Sequence, residues 1–378
     1  MNFRRLKAVA RKELLHIVRD PRSLILALAL PLVMLLLFGY ALTLDVDRIP
    51  TYVYDQDRTP QSRDLINQFR GSRYFQIIGT PNEYKTIERG IDKSTILLSL
   101  VIPTDYSRHL LAGDETVVQF LVDGSDSNTA GIALGYAQTV VQTYAAKLRS
   151  DMQVKRGGQP LRILVEPRIR VWYNSDLKSK NFIVPGLIAV TMMIIAAMLS
   201  SLTIAREWEN GTMEQLLSTP VRPSELVLGK LLAYFALGMA DMLISIIVGV
   251  FIFQVPFRGN VLFLFFTSCL FLFGTLSWGI FISATARSQL QAYQLGMLSS
   301  FLPGYLLSGF IYSIQNMPKV IQLISYIVPA RYFVTILNGV FLKGIGIRFL
   351  WVEVLMLAAY AALVFWRASK KMRQKVVE

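Results

Sequence analysis

Six apolar runs dominate this sequence and set its class: residues 23–44, 182–204, 231–253, 261–284, 290–314 and 349–366. Each is close to the ~20 residues that a helix needs to cross the hydrocarbon core of a bilayer. The chain has 378 residues and is 53% hydrophobic, more than a soluble fold of that length needs. The sequence predicts a polytopic α-helical membrane protein with six transmembrane helices. Between the first and second runs lies a polar insertion, residues 45–181, long enough to fold as a domain.

Charge sets the expected orientation. Arg4, Arg5, Lys7, Arg11, Lys12, Arg19 and Arg22 precede the first run, opposed by Glu13 and Asp20, and Arg367, Lys370, Lys371, Arg373 and Lys375 follow the last. Lys and Arg flanking membrane spans stay on the cytoplasmic side. Both termini are therefore expected in the cytoplasm, which an even number of spans allows, with the insertion outside. These flanks supply most of the formal charge of +14, which therefore does not require nucleic acid as a partner. The first run follows a basic segment, as in a signal peptide, but exceeds the ~7–15 residues of a signal h-region. It reads as an uncleaved span.

The N-terminal segment, residues 1–22, carries Phe3, Leu6, Ala10, Leu14 and Ile17 at helical spacing with basic residues between them. Asp20-Pro21 ends that helix, because a residue before proline disfavours the α region. Two readings stay open: a helix lying along the inner membrane surface, or a juxtamembrane charge cluster. In the insertion, strands are expected at 51–55, 74–79, 95–103, 116–126 and 163–174, and helices at 59–71, 81–91 and 129–149. Their alternation predicts a small α/β domain whose sheet is covered by helices. Between the fifth and sixth runs, residues 315–343 hold two apolar pieces separated by Pro329-Ala330-Arg331. Each is too short to cross, so the region is either re-entrant or an amphipathic surface loop.

Residues 206–221, REWENGTMEQLLSTPV, join the second and third runs on the expected cytoplasmic side. AREWE continues the second helix, and Asn210-Gly211 ends it. Thr212 and Gln215 have the spacing of a capping box, with Thr212 capping a short new helix and Gln215 reaching back. Pro220 and Pro223 then punctuate the exit. This is a helix–break–helix elbow of 205–224, with Glu207, Glu209 and Glu214 expected on its exposed side. It either contacts another protein or closes a tight turn at the membrane surface.

The sequence carries none of the common catalytic or metal-binding patterns. One cysteine, Cys269, and two histidines, His16 and His109, leave no disulfide framework and no Cys/His metal cluster. The stretch DGSDSN at 123–128 lacks the glycine and distal Glu of an EF-hand and reads as a turn. The sequence contains no G-x-x-x-x-G-K-[ST], G-x-G-x-x-G, H-E-x-x-H or G-x-S-x-G. No residue is expected to be catalytic, and work against a gradient would draw its energy from a partner or an ion. Asp241 is the one acid deep within an apolar run. Its position costs about 2.5–3.5 kcal/mol, against roughly −4 to −8 kcal/mol from the thirteen Leu, Ile, Phe and Val residues of 231–253. The run still inserts, and Asp241 must face the bundle or water. It is either a structural, hydrogen-bonded acid or a group that touches substrate or a gate.

At the elbow the sequence resembles a known family. REWENGTMEQLLSTPV is similar to the E-x-G-T-x-E-x-L-x-x-x-P signature of type-2 ABC exporter permeases, matching at Glu209, Gly211, Thr212, Glu214, Leu216 and Pro220. RKELLHIVRDPRS (11–23) resembles the family's N-terminal interface helix. FLPGYLLSGFIYSIQNMP (301–318) and IVPARYF (327–333) resemble its fifth span and the re-entrant segment that follows. The resemblance covers essentially the whole chain and is closest to bacterial inner-membrane multidrug exporter permeases with a large periplasmic domain.

The resemblance implies that this chain binds no cofactor, and that ATP and Mg sit on a separate ABC ATP-binding subunit. It implies a second permease, identical or paralogous, and makes a periplasmic adaptor and an outer-membrane channel plausible further partners. The residues it places against the ATPase are Arg11, Lys12, Glu13, Arg19, Asp20, Arg206, Glu207, Glu209, Gly211, Thr212, Glu214 and Leu216. Pathway or gating candidates are Asp241, Pro303, Gly304, Pro329 and Arg331. Other readings of the same layout are export of a lipid or glycan, a non-transporting sensor acting through its outer domain, and an ion-coupled carrier using Asp241.

Overall fold

Prolines, asparagines and glycines set many of the helix ends. The computed structural model describes residues 2–41, 47–155, 172–174 and 178–377, and the chain divides into two units, Met1–Thr43 with Arg170–Glu378, and Leu44–Ile169. The expected strand at 163–174 falls almost wholly outside the described residues.

The second unit is built on strands β1 (Ile49–Asp55), β2 (Phe75–Gly79), β3 (Leu98–Ile102) and β4 (Gln119–Val122), in the order β2-β1-β3-β4. β1 runs parallel to β2 and β3, and β4 is antiparallel to β3. Alternate residues of β1 face opposite layers. Ile49 and Val53 pack with Leu65, Ile66 and Phe69 of α3 (Pro60–Gly71) and with Ala133, Ala137 and Tyr144 of α6 (Ser127–Lys155). Tyr52 and Tyr54 pack on the other face with Ile87 of α4 (Tyr84–Asp92). All five residues of β3 are buried, as a strand covered on both faces requires. A further helix, α5 (Tyr106–Ala112), was not expected; it ends at Gly113 in the left-handed conformation.

The first unit is helical. α1 (Phe3–Arg19) and α2 (Pro21–Ala41) are separated at Asp20-Pro21. The elements that follow the α/β unit are α7 (Lys180–Glu209), α8 (Thr212–Leu217), α9 (Pro223–Ile247), α10 (Val261–Thr285), α11 (Gln289–Leu307), α12 (Lys319–Ser325), α13 (Pro329–Asn338) and α14 (Ile347–Val377). Single π-helical turns extend α9 through Ile252 and α13 through Lys343.

α7 is the axis of this unit and packs against α2, α9, α10, α11 and α13. Small residues permit the close approach, as is usual between helices in lipid. A Cβ at Gly279 of α10 would lie 1.9 Å from Ser200 Oγ, and one at Gly296 of α11 would lie 2.7 Å from Ser201 Oγ. Ser283 of α10 accepts from the backbone N–H groups of Ile204 and Ala205, both at 2.9 Å. Phe271 of α10 stacks on Phe333 of α13 with ring centroids 4.1 Å apart.

Four helices among the described residues are long and apolar enough to cross a membrane: Lys180–Glu209, Pro223–Ile252, Val261–Thr285 and Ile347–Gln374. The bent pair Lys319–Ser325 and Pro329–Lys343, at 84°, makes a fifth if it is one broken span. The expected first run contributes the shorter apolar helix Ala27–Ala41 within α2. The expected fifth run is α11, diluted by Gln289, Gln291 and Gln294 and interrupted by Pro303. The last helix does not end where the basic tail begins: it continues to Val377 with Ala368 and Met372 buried.

Candidate functional site

α1, the end of α7, α8 and the start of α9 form one packed collar at one end of the bundle. Its centre is a ring of four charges. Lys230 Nζ donates to Glu13 Oε1 at 2.8 Å and to Glu207 Oε1 at 2.9 Å, and Lys12 Nζ donates to the same two atoms at 3.1 and 2.6 Å. Two lysines and two glutamates cancel, and they tie α1 to α7 and α9. Lys230 is 1% exposed, and Glu13 and Glu207 are buried, while Lys12 closes the ring from the solvent side. Burial alone would raise the Glu13 carboxyl, but Lys230 and Lys12 outweigh it and hold that group below the usual carboxylate range.

Two further contacts fix α1. Glu225 of α9 accepts from the Asn2 backbone N–H at 2.6 Å and from the Arg222 N–H at 3.1 Å. Arg5 donates to the Pro220 carbonyl. Gly229 lets the two helices meet: a Cβ there would lie 2.7 Å from Val9 Cγ1 and 3.3 Å from the Leu6 carbonyl oxygen.

The structure corrects three expectations here. The buried stripe of α1 is Leu6, Val9, Glu13 and Ile17; Phe3 and Leu14, expected on it, are exposed, Phe3 at 73%. The reason is that Gly229 admits Val9, and the ring draws Glu13 inward. Glu207 is not on the exposed side of the elbow, because it neutralises Lys230. The Thr212–Gln215 capping box does not form. Gly211, at φ +70°, occupies the cap position, so Thr212 becomes the first helical residue and its hydroxyl donates to the Glu207 carbonyl at 3.3 Å. Only glycine adopts that φ without strain.

The other coupling candidates divide. Glu209 accepts from the Gln289 N–H at 3.0 Å, placing its charge at the N-terminus of α11, where the helix dipole favours an acid. Met213 anchors α8 in the core, and Leu216 packs against it. Arg11, Arg19 and Glu214 are exposed. Arg206 lines a polar cavity of about 310 Å³ with Lys12, Glu13, His16, Glu207 and Tyr234. Asp20 caps the end of α1.

The pathway candidates do not meet in one place. Asp241 is buried between α2, α7, α9 and α10. Gly304, beside Pro303 on α11, faces Val190 and Met193 of α7. Pro329 opens α13, and Arg331 holds the bend between α12 and α13. Its guanidinium donates to the Gln322 carbonyl at 3.3 Å and to Ser325 Oγ, and lies 3.9 Å from the Tyr326 ring centroid.

Sequence reasoning missed Lys230, Glu225, Gly229 and Tyr234. The signal was present: Lys230, Tyr234, Gly238 and Asp241 recur at helical spacing on one stripe of α9. Among the described residues no group of His, Cys, Asp and Glu is placed to hold a metal ion.

Long apolar helices packed around α7, with a charge-locked helical collar at one end, define a polytopic helical membrane protein. The chain belongs to the ABC-2 transporter family, whose pattern it matches over residues 21–370. It is 38% identical over 375 residues to the probable multidrug ABC transporter permease YbhS of Escherichia coli K12, covering 98% of each chain. It is 30% identical to the probable multidrug ABC transporter permease YbhR of the same organism, covering 99% of this chain and all of that one. The inner membrane transport permease YhhJ, also from Escherichia coli K12, is 27% identical over 86% of each chain. The chain is thus an ABC transporter permease, and membership implies a membrane location and an ABC ATPase partner.

Proposed function

We propose that this chain is the permease subunit of an ATP-driven exporter that moves drugs or other amphipathic small molecules out across a bacterial inner membrane. In this reading six helices cross the membrane, both termini are cytoplasmic and the α/β unit is periplasmic. A second permease completes the pathway, and a periplasmic adaptor and outer-membrane channel are further partners. The relatives' names supply the substrate class.

The observation that carries the reading is the collar. A helix lying on a membrane surface needs no buried charges, whereas α1 is clamped to α7 and α9 through Lys230, Glu13 and Glu207. A push on α1 or α8 therefore reaches two long helices as a rigid displacement. The surface left for an ATPase carries exposed apolar groups, Phe3, Leu14, Leu15 and Val18, beside Arg11, Arg19 and Glu214. The ATPase supplies nucleotide chemistry; this chain supplies the lever and the pathway.

The test is reconstitution with the cognate ATPase subunit in inside-out vesicles. ATP-dependent uptake of an amphipathic dye is expected, and Leu14→Asp or Glu214→Lys should abolish it while insertion and collar packing persist. Unchanged uptake in both variants would remove this surface from the coupling path.

A further inference from the structure

Asp241 is 2% exposed, and its Oδ1 is buried without a hydrogen-bond partner. It lies about 27 Å along α9 from Pro223 at 1.5 Å per residue, deep in the apolar helix. An acid at such depth costs about 2.5–3.5 kcal/mol on insertion, and intramembrane acids characteristically mark ligand or ion routes.

Three separate cavities, each sharing wall residues with the next, lie between the collar and Asp241. The first is the polar cavity walled by the charge ring, about 310 Å³. The second shares His16, Arg206 and Tyr234 with the first and also touches Asp20 and Leu237. The third shares Leu199, Tyr234 and Leu237 with the second and ends at Asp241, walled by Ala27, Met192 and Leu276. Tyr234 borders all three. The inner two measure about 30 and 10 Å³, room for about one water each, so the line is closed in this conformation.

The charges along this line are distributed unequally. In the ring Lys12 and Lys230 cancel Glu13 and Glu207, and the second cavity is lined by one cation, Arg206, and one acid, Asp20. At the inner end Asp241 stands among apolar side chains with Tyr234 two helical turns away on the same stripe of α9. A carboxylate and an aromatic face are the chemistry that recognises a lipophilic cation: Coulomb attraction is strongest in a dry site, and the ring adds cation–π attraction. A neutral ligand of the same shape gains neither.

We propose that this line of cavities is an entry route from the collar end of the bundle for lipophilic organic cations, with Asp241 as the receiving charge and Tyr234 as the constriction. It rests on the transport reading above and names the substrate class. Opening requires Tyr234, Leu199 and Leu237, which wall both inner cavities, to move apart, so that α7 and α9 separate there while the ring holds them at the collar.

The probe is tetraphenylphosphonium, with tetraphenylmethane as its neutral isostere, bound to the full chain in lipid nanodiscs. Asp241→Asn should weaken binding of the cation by about tenfold or more and leave the neutral compound unchanged. In the unsubstituted chain, dicyclohexylcarbodiimide should label Asp241, and tetraphenylphosphonium should protect it; this arm needs no variant to fold. No binding of the cation, equal binding to both chains, or labelling that the cation leaves untouched overturns the proposal. If the cation binds and protects Asp241 but the ATPase-reconstituted complex does not transport it, the site stands and the export reading falls. If transport proceeds independently of Asp241, the reverse holds.

Discussion

The Lys230 ammonium lies 2.8 Å from the Glu13 carboxylate across 217 residues of sequence. Neither could sit where it does alone, since a buried unpaired charge is strongly destabilising, but together with Glu207 and Lys12 they make a neutral cluster. Replacing Lys230 with alanine should cost about 3–5 kcal/mol, because two buried glutamates are left sharing one half-exposed cation, Lys12. The triple variant Lys230→Met, Glu13→Gln, Glu207→Gln should recover most of that stability yet transmit less force. Thermal unfolding and ATPase-coupled dye uptake, measured on both variants, check the two halves of this expectation separately.

Gly229 should tolerate no side chain of ordinary size. A Cβ there meets Val9 at 2.7 Å and the Leu6 carbonyl oxygen at 3.3 Å. Gly229→Val should lift α1 off α9, and adding Val9→Ala should restore part of the docking. Disulfide trapping between cysteines placed on the two helices reads the effect; equal trapping in Gly229→Val and the parent chain would refute it.

The pH response of the collar has two edges. The Glu13 carboxyl is held low, so its stabilisation is present above the unfolded value near ~4.3 and is lost as pH falls through the folded value. Burial lowers the Lys12 ammonium, but Glu207 and Glu13 outweigh that and raise it. Its stabilisation is full below ~10.4 and is lost as pH rises through the folded value. Protection of α1 from hydrogen exchange should therefore be flat between about pH 5 and 10 and fall outside that window. A fall in protection inside that window would refute the assignment to Glu13 and Lys12.

Arg331 should control the angle between α12 and α13. It bonds the Gln322 carbonyl and Ser325 Oγ and covers the Tyr326 ring. Arg331→Ala should cost about 1–3 kcal/mol locally and broaden the 84° bend. Spin-label distances between the two helices measure that breadth.

Gly279→Ala should remove folded protein from the membrane, since the new methyl would lie 1.9 Å from Ser200 Oγ and 2.4 Å from the Ala197 carbonyl oxygen. Adding Ser200→Gly should rescue it only in part, because the carbonyl remains. Detergent-extracted, monodisperse yield is the measurement.

By itself the sequence determined what depends on neighbours along the chain. Apolar runs at helical length gave α7, α9, α10 and α14, Asp20-Pro21 separated α1 from α2, and Gly211 ended the helix before the elbow. These features follow from hydropathy and from backbone sterics, which are local. What only the tertiary structure decided was which face of α1 turns inward, that Glu207 is buried while Glu209 reaches α11, and that Lys230 joins three helices. The reason is physical: a charge is buried only where a partner of opposite sign arrives from elsewhere in the fold. No local pattern records that arrival. The same holds for Asp241, whose depth was legible from its run but whose place at the inner end of a line of cavities depends on α2, α7 and α10 packing around it.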